Sequence, residues 1–297
     1  MAVLFACGPH AASCANTQSA RLPRLFAEKW IDGTAPAEPA TQVQALDADT
    51  FVIRQSVKTN FEAPFIYLLF GRDTALLIDT GAENGRIRPT VDRLISGWLA
   101  KRGRKTIPLV VAHSHSHGDH VAGDATFRGR PDTIIVGLKP ADVAGFFGIA
   151  AWPSAIGRFD LGGRALSIIP TPGHQSAAIM VYDPQLRILL SGDTLYPGRL
   201  YVPINFLADD RASIDRVAAF AAHHPVRAVL GAHIEMTRTP GRDYPHEAPT
   251  HADEHPLELP VEAVRELQAG LKAPLDMPGR PQVHDRFIIV PVPPRAE

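Results

Sequence analysis

A chain of 297 residues, 45% hydrophobic and 21% charged, has ample apolar material for a sizeable core, which excludes global disorder. Its 30 Lys+Arg against 31 Asp+Glu leave a formal charge of −1, so neither nucleic acid nor an anionic membrane surface is expected as the main partner. Two cysteines, Cys7 and Cys14, exclude a disulfide-stapled fold, whereas 13 histidines direct attention to metal ligation.

The opening residues, MAVLFACGPHAASCANTQSA, are small, apolar and uncharged up to Arg21. No run approaches the ~20 apolar residues of a membrane-spanning helix. The stretch resembles the end of a secretory signal, and Ala12-Ser13 ahead of Cys14 resemble a lipoprotein cleavage box. Export to the periplasm or lipid anchorage at the cell envelope is therefore the expectation. A plain tail on a cytoplasmic protein is the alternative, since no Lys or Arg precedes the run and Pro9-His10 interrupt it. Residues 1–40, closing on TAPAEPA, read as tail and linker, and 41–297 as one domain.

From Thr41 the chain becomes regular. TFVIRQSV, FIYLLF and TALLIDT are short β-rich runs separated by turn residues such as Gly71-Arg72-Asp73, which predicts a meander. Over residues 86–102, Ile87, Val91, Leu94, Ile95, Trp98 and Leu99 recur at helical spacing, so an amphipathic helix is expected. IPLVVA (107–112) is continuously apolar, as in a strand covered on both faces. A helix from Gly118, a strand at 133–137 and a helix over LKPADVAGFFG follow. Strands are then read at ALSIIPT, AIMVYD and RILLSG, and a helix at 209–223. A short strand at 227–231, a late helix at 260–271 and a strand at 286–292 come last. Strands in two blocks, about 50–137 and 160–231, with helices outside, predict an α/β sandwich.

The segment VVAHSHSHGDHVAG carries the chemistry. His115 and His117 are two apart directly after the buried strand, so at strand spacing both imidazoles point the same way, toward one ion. Gly118 permits a sharp turn, and Asp119 and His120 then diverge toward a second ion beside the first. His113 is out of phase with this pair and is expected in the core or supporting the ligands. A solvated histidine-rich loop is the plain alternative.

The pattern His-x-His-x-Asp-His after a buried strand resembles the signature of the metallo-β-lactamase superfamily. The resemblance points to four further places, and each is filled: His174 in a Thr-Pro-Gly-His turn, Asp193 in LLSGDTLY, His233 in VLGAH and Asp79 in LLIDTGA. It implies a four-layer αββα sandwich of the α/β class. It also implies that His115, His117 and His174 hold one metal, Asp119, His120 and His233 a second, and that Asp193 bridges them. Imidazole with carboxylate and no thiolate suits Zn2+, two per chain, with Fe or Mn also compatible. Asp79 is expected to be a buried acceptor that orients the ligand loops.

Asp at position 193, in place of Cys or Ser, separates the chain from the antibiotic-cleaving members. The Gly-Asp-Thr-Leu run (192–195) resembles glyoxalase II, a thioester hydrolase, although the Pro- and His-rich tail from 234 does not resemble that family's glutathione-binding domain. The implied activity is dinuclear zinc hydrolysis of an ester, lactone, thioester or lactam, a metal-bridging hydroxide attacking the carbonyl. Asp119 is expected to relay a proton to the leaving group. Tyr196 stands where lactone-opening members carry a Tyr that hydrogen-bonds the substrate carbonyl; a ring packed at a strand end is the alternative. Residues 145–153, with Phe146, Phe147 and Trp152, and 196–206 are candidate pocket walls for an apolar acyl compound. Arg199 and Arg238 are candidates for a substrate carboxylate, and His246, His251 and His255 for structural or lid residues. The competing readings are a phosphodiesterase on the same fold, disfavoured by the neutral charge, and a non-catalytic metal-binding surface protein, disfavoured by the complete ligand set.

Overall fold

Where large apolar residues alternate or run together, the chain forms strands, and these assemble into two six-stranded sheets and a smaller third. The computed structural model describes residues 24–275 and 279–295; the signal-like segment with Cys7 and Cys14 lies outside the described residues. The first sheet runs in chain order: β1 (Thr41–Asp47), β2 (Thr50–Gln55), β3 (Phe65–Phe70), β4 (Ala75–Ile78), β5 (Leu109–Ala112) and β6 (Thr133–Ile135). β1 to β4 are an antiparallel meander, and β4, β5 and β6 are parallel. The parallel connections are α1 (Ile87–Lys101) and two single-turn helices, α2 (Gly118–Val121) and α3 (Asp124–Phe127).

After α4 (Pro140–Phe147) come β7 (Gly157–Asp160), β8 (Ala165–Pro170), β9 (Ile179–Asp183) and β10 (Ile188–Gly192). The chain leaves this sheet through β11 (Arg199–Pro203) and α5 (Leu207–His223). It returns with β12 (Ala228–Gly231) and β13 (Glu258–Leu259), giving the order β13-β12-β10-β9-β8-β7. α6 (Glu262–Lys272), β14 (Gln282–Val283) and β15 (Ile288–Val292) follow, and β11, β15 and β14 make the third sheet. No helix among the described residues is long and apolar enough to cross a membrane.

The pleat of each strand sorts its side chains between layers. In β3, Phe65, Tyr67 and Leu69 enter the central core between the sheets, while Ile66, Leu68 and Phe70 meet Ile87, Val91, Ile95 and Trp98 of α1. In the second sheet Ile168, Val181 and Leu190 face that same central core. Ile169, Met180 and Leu189 face Val217 and Phe220 of α5 and Leu267 of α6. Helix, sheet, sheet, helix is the four-layer αββα sandwich expected from the sequence.

Strand direction decides where the loops go. β4 and β5 are parallel, and β8, β10 and β12 share one direction because β9 is antiparallel to both β8 and β10. The turns that follow these five strands carry Asp79, His113–His120, His174, Asp193 and His233, and they meet at one edge of the sandwich.

Five strands carry no clear signal in the sequence: β1, β7, β11, β13 and β14. Every one of them lies at a sheet edge, where one side is solvated and the apolar pattern is thin. The linker reading of residues 24–40 is also corrected. Phe26 and Trp30 are buried, with ring centroids 4.9 Å apart, and Trp30 packs edge-on against Phe65 at 5.0 Å. Two isolated aromatics form no periodic pattern, so only their packing reveals them. The backbone carbonyl of Asp32 accepts the His251 N–H at 2.7 Å, tying this arm to the loop before β13. His251 in turn contacts Glu254, which forms a bidentate buried pair with Arg54, so His251 is structural.

The two sheets are fastened by one buried guanidinium. Arg164 donates to Asp183 on β9, to the carbonyls of Asp49 and Phe70 at 3.0 Å, and to the Thr50 hydroxyl at 2.7 Å, so all five N–H groups are used. Arg164→Ala strands the Asp183 carboxylate in the interior and is expected to lower unfolding free energy by about 3–5 kcal/mol in urea or guanidinium titration. A loss below about 1 kcal/mol would show that the pair does not join the sheets.

Candidate metal centre

All seven ligand candidates converge. His115, His117 and His174 form one donor set, and Asp119, His120, Asp193 and His233 a second, with the donor atoms of each set within 4.8 Å of one another. In the first set, Nδ1 of His117 lies 2.9 Å from Nε2 of His115 and 3.1 Å from Nε2 of His174. In the second, Asp119 Oδ2 lies 3.0 Å from His120 Nε2 and 3.2 Å from His233 Nε2. Asp193 stands between the sets. Its Oδ1 faces His120 and His233 at 3.4 and 3.3 Å, and its Oδ2 faces His115 and His174 at 3.8 Å.

The outer nitrogens show why the inner ones must be acceptors. His174 Nδ1 donates to the Tyr201 carbonyl at 2.9 Å, His233 Nδ1 to the Glu62 carbonyl at 2.8 Å, and His120 Nδ1 to Asp79 at 2.9 Å. A neutral ring whose Nδ1 carries the proton presents a lone pair at Nε2. Lone pairs and carboxylate oxygens therefore face one another across a buried space, and Asp193 Oδ1 has no hydrogen-bond donor among the described residues. Such a set fits divalent cations.

The electrostatics follow the same division. Burial holds His115 well below the ordinary imidazole range, with the neighbouring His120 adding to it. Burial and His174 lower His117 to about 4, and burial lowers His174. Burial also opposes charge on His120 and His233, but Asp193, with Asp79 and Asp119 beside His120 and Asp119 beside His233, overrides it and raises both well above that range. The two carboxylates answer in kind. Burial would raise Asp119 and Asp193, yet His120 and His233 hold both well below the usual carboxylate range.

Asp79 is a support, as its place after an apolar strand implies. Its carboxylate accepts the Ser114 N–H at 2.7 Å, the Ser114 hydroxyl at 2.8 Å and His120 Nδ1 at 2.9 Å. Its own backbone is left-handed (φ 71°), a conformation that bulky residues resist and Asp or Asn tolerates. Gly173 serves the neighbouring turn, since a Cβ there would fall 2.1 Å from Asp210. His113 is buried with Nε2 2.9 Å from Asp124, a supporting position outside both donor sets.

Other candidates are placed differently. The Tyr196 ring packs against His233 with centroids 5.4 Å apart, but its hydroxyl donates to the Arg199 carbonyl at 2.6 Å, so it is committed to the backbone instead of to a substrate carbonyl. Arg199 is likewise spent: its guanidinium engages Glu235, Asp243, the Tyr244 carbonyl and the Tyr201 hydroxyl. Arg238 is exposed beside Asp253, and His246 is exposed beside Phe61. His255 hydrogen-bonds the Pro256 carbonyl. Phe146 and Trp152 pack on the central core, while Phe147 reaches a cleft beside His115. Leu200, Tyr201 and Val202 line a cavity with His174 and Asp193. Glu235, which accepts the Arg199 N–H at 2.6 Å, is a residue that sequence reasoning missed; its place two residues after His233 was the available signal.

Comparison with known proteins agrees with this geometry. The sequence profile described as the metallo-beta-lactamase superfamily matches residues 59–222, more than half of the chain. Hydroxyacylglutathione hydrolase of Rhizobium meliloti (strain 1021) is 33% identical over 113 residues, 37% of this chain and 43% of that protein. The chain thus spans less than half the length of that curated relative. Acyl-coenzyme A thioesterase MBLAC2 of Homo sapiens is 27% identical over 204 residues, 57% of this chain and 72% of the relative. Among solved structures, a metallo-beta-lactamase from Pontibacter korlensis superposes with a TM-score of 0.52 at 17% identity. It covers 79% of this chain and 100% of that one, a likeness of fold alone.

Asp79→Asn keeps the left-handed backbone but weakens the acceptor that aims His120 and Ser114. Metal affinity, measured by competition with a chromogenic chelator, is expected to fall about 10–100-fold with the circular dichroism spectrum retained. Unchanged affinity would remove Asp79 from the support of the centre.

Proposed function

The chain belongs to the metallo-beta-lactamase superfamily, and on that premise we propose that it is a dinuclear zinc hydrolase of small acyl substrates, thioesters foremost. The observation that carries the reading is Asp193, whose two oxygens face different donor sets and so can serve two ions at once. His115, His117 and His174 would hold one ion, and Asp119, His120 and His233 the other. Donors of imidazole and carboxylate without thiolate suit Zn2+. When bound, such a pair supplies Lewis-acid polarisation of a carbonyl and a water acidic enough to ionise near neutral pH.

The chain's own residues supply the rest. Carbonyl and carboxylate partners on the outer nitrogens of His120, His174 and His233 fix the ring directions before substrate arrives. Asp119 is the more exposed of the two carboxylates, 19% against 10% for the Asp193 side chain, so it is the one placed to pass a proton to a leaving group. The preference for thioesters draws on two relatives, one named for hydroxyacylglutathione hydrolysis and the other an acyl-coenzyme A thioesterase.

Purified protein should contain about two zinc ions per chain, and chelation should abolish turnover of a panel of thioesters, lactones, esters and lactams until Zn2+ is restored. Asp193→Asn is expected to cost at least about two orders of magnitude in kcat and to lower the ion count by metal analysis. Turnover of bis-p-nitrophenyl phosphate with none of any acyl substrate would overturn the proposal.

A further inference from the structure

The turn that delivers His174, Pro170-Thr171-Pro172-Gly173-His174, cannot hold itself. Two of its five residues are prolines without a backbone N–H, so its carbonyls outnumber its donors. Thr171 spends its own N–H on the Ala178 carbonyl at 2.7 Å. The carbonyls of Pro170 and Pro172 turn instead to α5.

The fully buried Ser213 hydroxyl donates to the Pro172 carbonyl at 2.7 Å, and Arg216 Nη1 donates to the Pro170 carbonyl at 2.7 Å. One turn earlier on the helix, the buried Asp210 carboxylate accepts the backbone N–H of His174 itself. Asp210, Ser213 and Arg216 are spaced by three, so successive turns of α5 meet successive parts of the His174 turn. The approach is close. A Cβ at Gly173 would fall 2.1 Å from Asp210 Oδ1 and 2.8 Å from Asp210 Cα, and only glycine admits it. α5 is fixed in its own place by α6: Arg211 donates to the Leu271 carbonyl at 2.6 Å, and Gln268 to Asp215 at 2.7 Å. Ile214 and Val217 bury the other side of the helix in the core.

The second donor set is held differently. His120 is aimed by Asp79, after β4, and His233 by the Glu62 carbonyl, before β3. Among the hydrogen bonds of the described residues, none runs from α5 to Asp119, His120 or His233. We infer that the two donor sets have separate supports, and that Ser213 and Arg216, with Asp210 against Gly173, are positioning residues for the first ion alone, acting through His174. The inference rests on the reading of the two donor sets as ion sites. Its physical basis is the route of each contact. Loosening α5 frees the 170–174 turn, and with it the aim of His174 toward the ion it would share with His115 and His117, while the bonds that aim His120 and His233 stay whole.

The test follows zinc uptake by histidine-ring NMR in the full chain, with free Zn2+ set by a chelator. The Nδ1 protons of His174 and His233 report one donor set each, since a backbone carbonyl holds each proton and leaves Nε2 for the ion. Ser213→Ala deletes one hydroxyl, and Arg216→Met deletes the donor but keeps an unbranched stem. Either is expected to raise the free zinc needed to shift His174 by about tenfold, with His233 unmoved and circular dichroism retained. Thioester turnover by the Ser213→Ala protein should fall at low zinc and return as zinc is raised, which a damaged fold would not allow. His174 and His233 displaced by the same factor, His174 not displaced, or circular dichroism lost in both variants would overturn the inference while leaving the hydrolase reading intact. If the wild-type chain takes up a single ion, the dinuclear reading falls instead. The inference then stands if that ion shifts His174 and Ser213→Ala weakens it, and falls otherwise.

Discussion

Lone pairs of five imidazoles and the oxygens of two carboxylates face one another at one edge of the sandwich, and most of what surrounds them exists to hold them there. Acceptors repel acceptors, so this arrangement is stable only with positive charge in its midst. Asp193 and Asp119 raise the affinity of His120 and His233 for protons despite deep burial, so a proton at either Nε2 competes with a cation for the same lone pair. His115, His117 and His174 have the opposite bias because fewer carboxylate oxygens approach them. Asp193 alone faces both groups, which makes it the joint of the centre.

The scaffold meets that demand through strand direction. Five strands deliver their following turns to one edge, and the sandwich holds those ends still. Each ring is then oriented by a different element: His120 by Asp79 after β4, His174 by the Tyr201 carbonyl of β11, and His233 by the Glu62 carbonyl of the loop before β3. The third sheet thus touches the chemistry directly, because β15 pairs with the strand that supplies the Tyr201 carbonyl. Far from the centre, Arg164 fastens the sheets at their other connection, where β2 and β3 approach β9.

Charged groups near the edge are mostly committed to one another. Arg199 is engaged by Glu235, Asp243, the Tyr201 hydroxyl and the Tyr244 carbonyl, and the Tyr196 hydroxyl is held by the Arg199 carbonyl. Neither is free to choose a substrate.

Four of the seven donor candidates and the layer order were legible in the chain because both are local or periodic properties, whereas His174, Asp193 and His233 were pointed to only by the family resemblance. Two histidines at spacing two after a buried strand, a glycine turn and an Asp-His pair form one short string, and the strands of the two inner layers are continuous apolar runs. Edge strands such as β1 and β11 were not legible, since half-solvated strands carry little pattern, and the packing of Phe26 and Trp30 has no period to read. Side-chain commitments were beyond the sequence altogether. That Tyr196 turns to a carbonyl, that Arg199 is spent, and that His113 turns one nitrogen to Asp124 depend on partners between 3 and 45 residues away in the chain. Residue type and spacing determined which atoms can bind a cation. Only the fold, by bringing distant groups within hydrogen-bonding reach, decided which of the remaining polar atoms are already occupied.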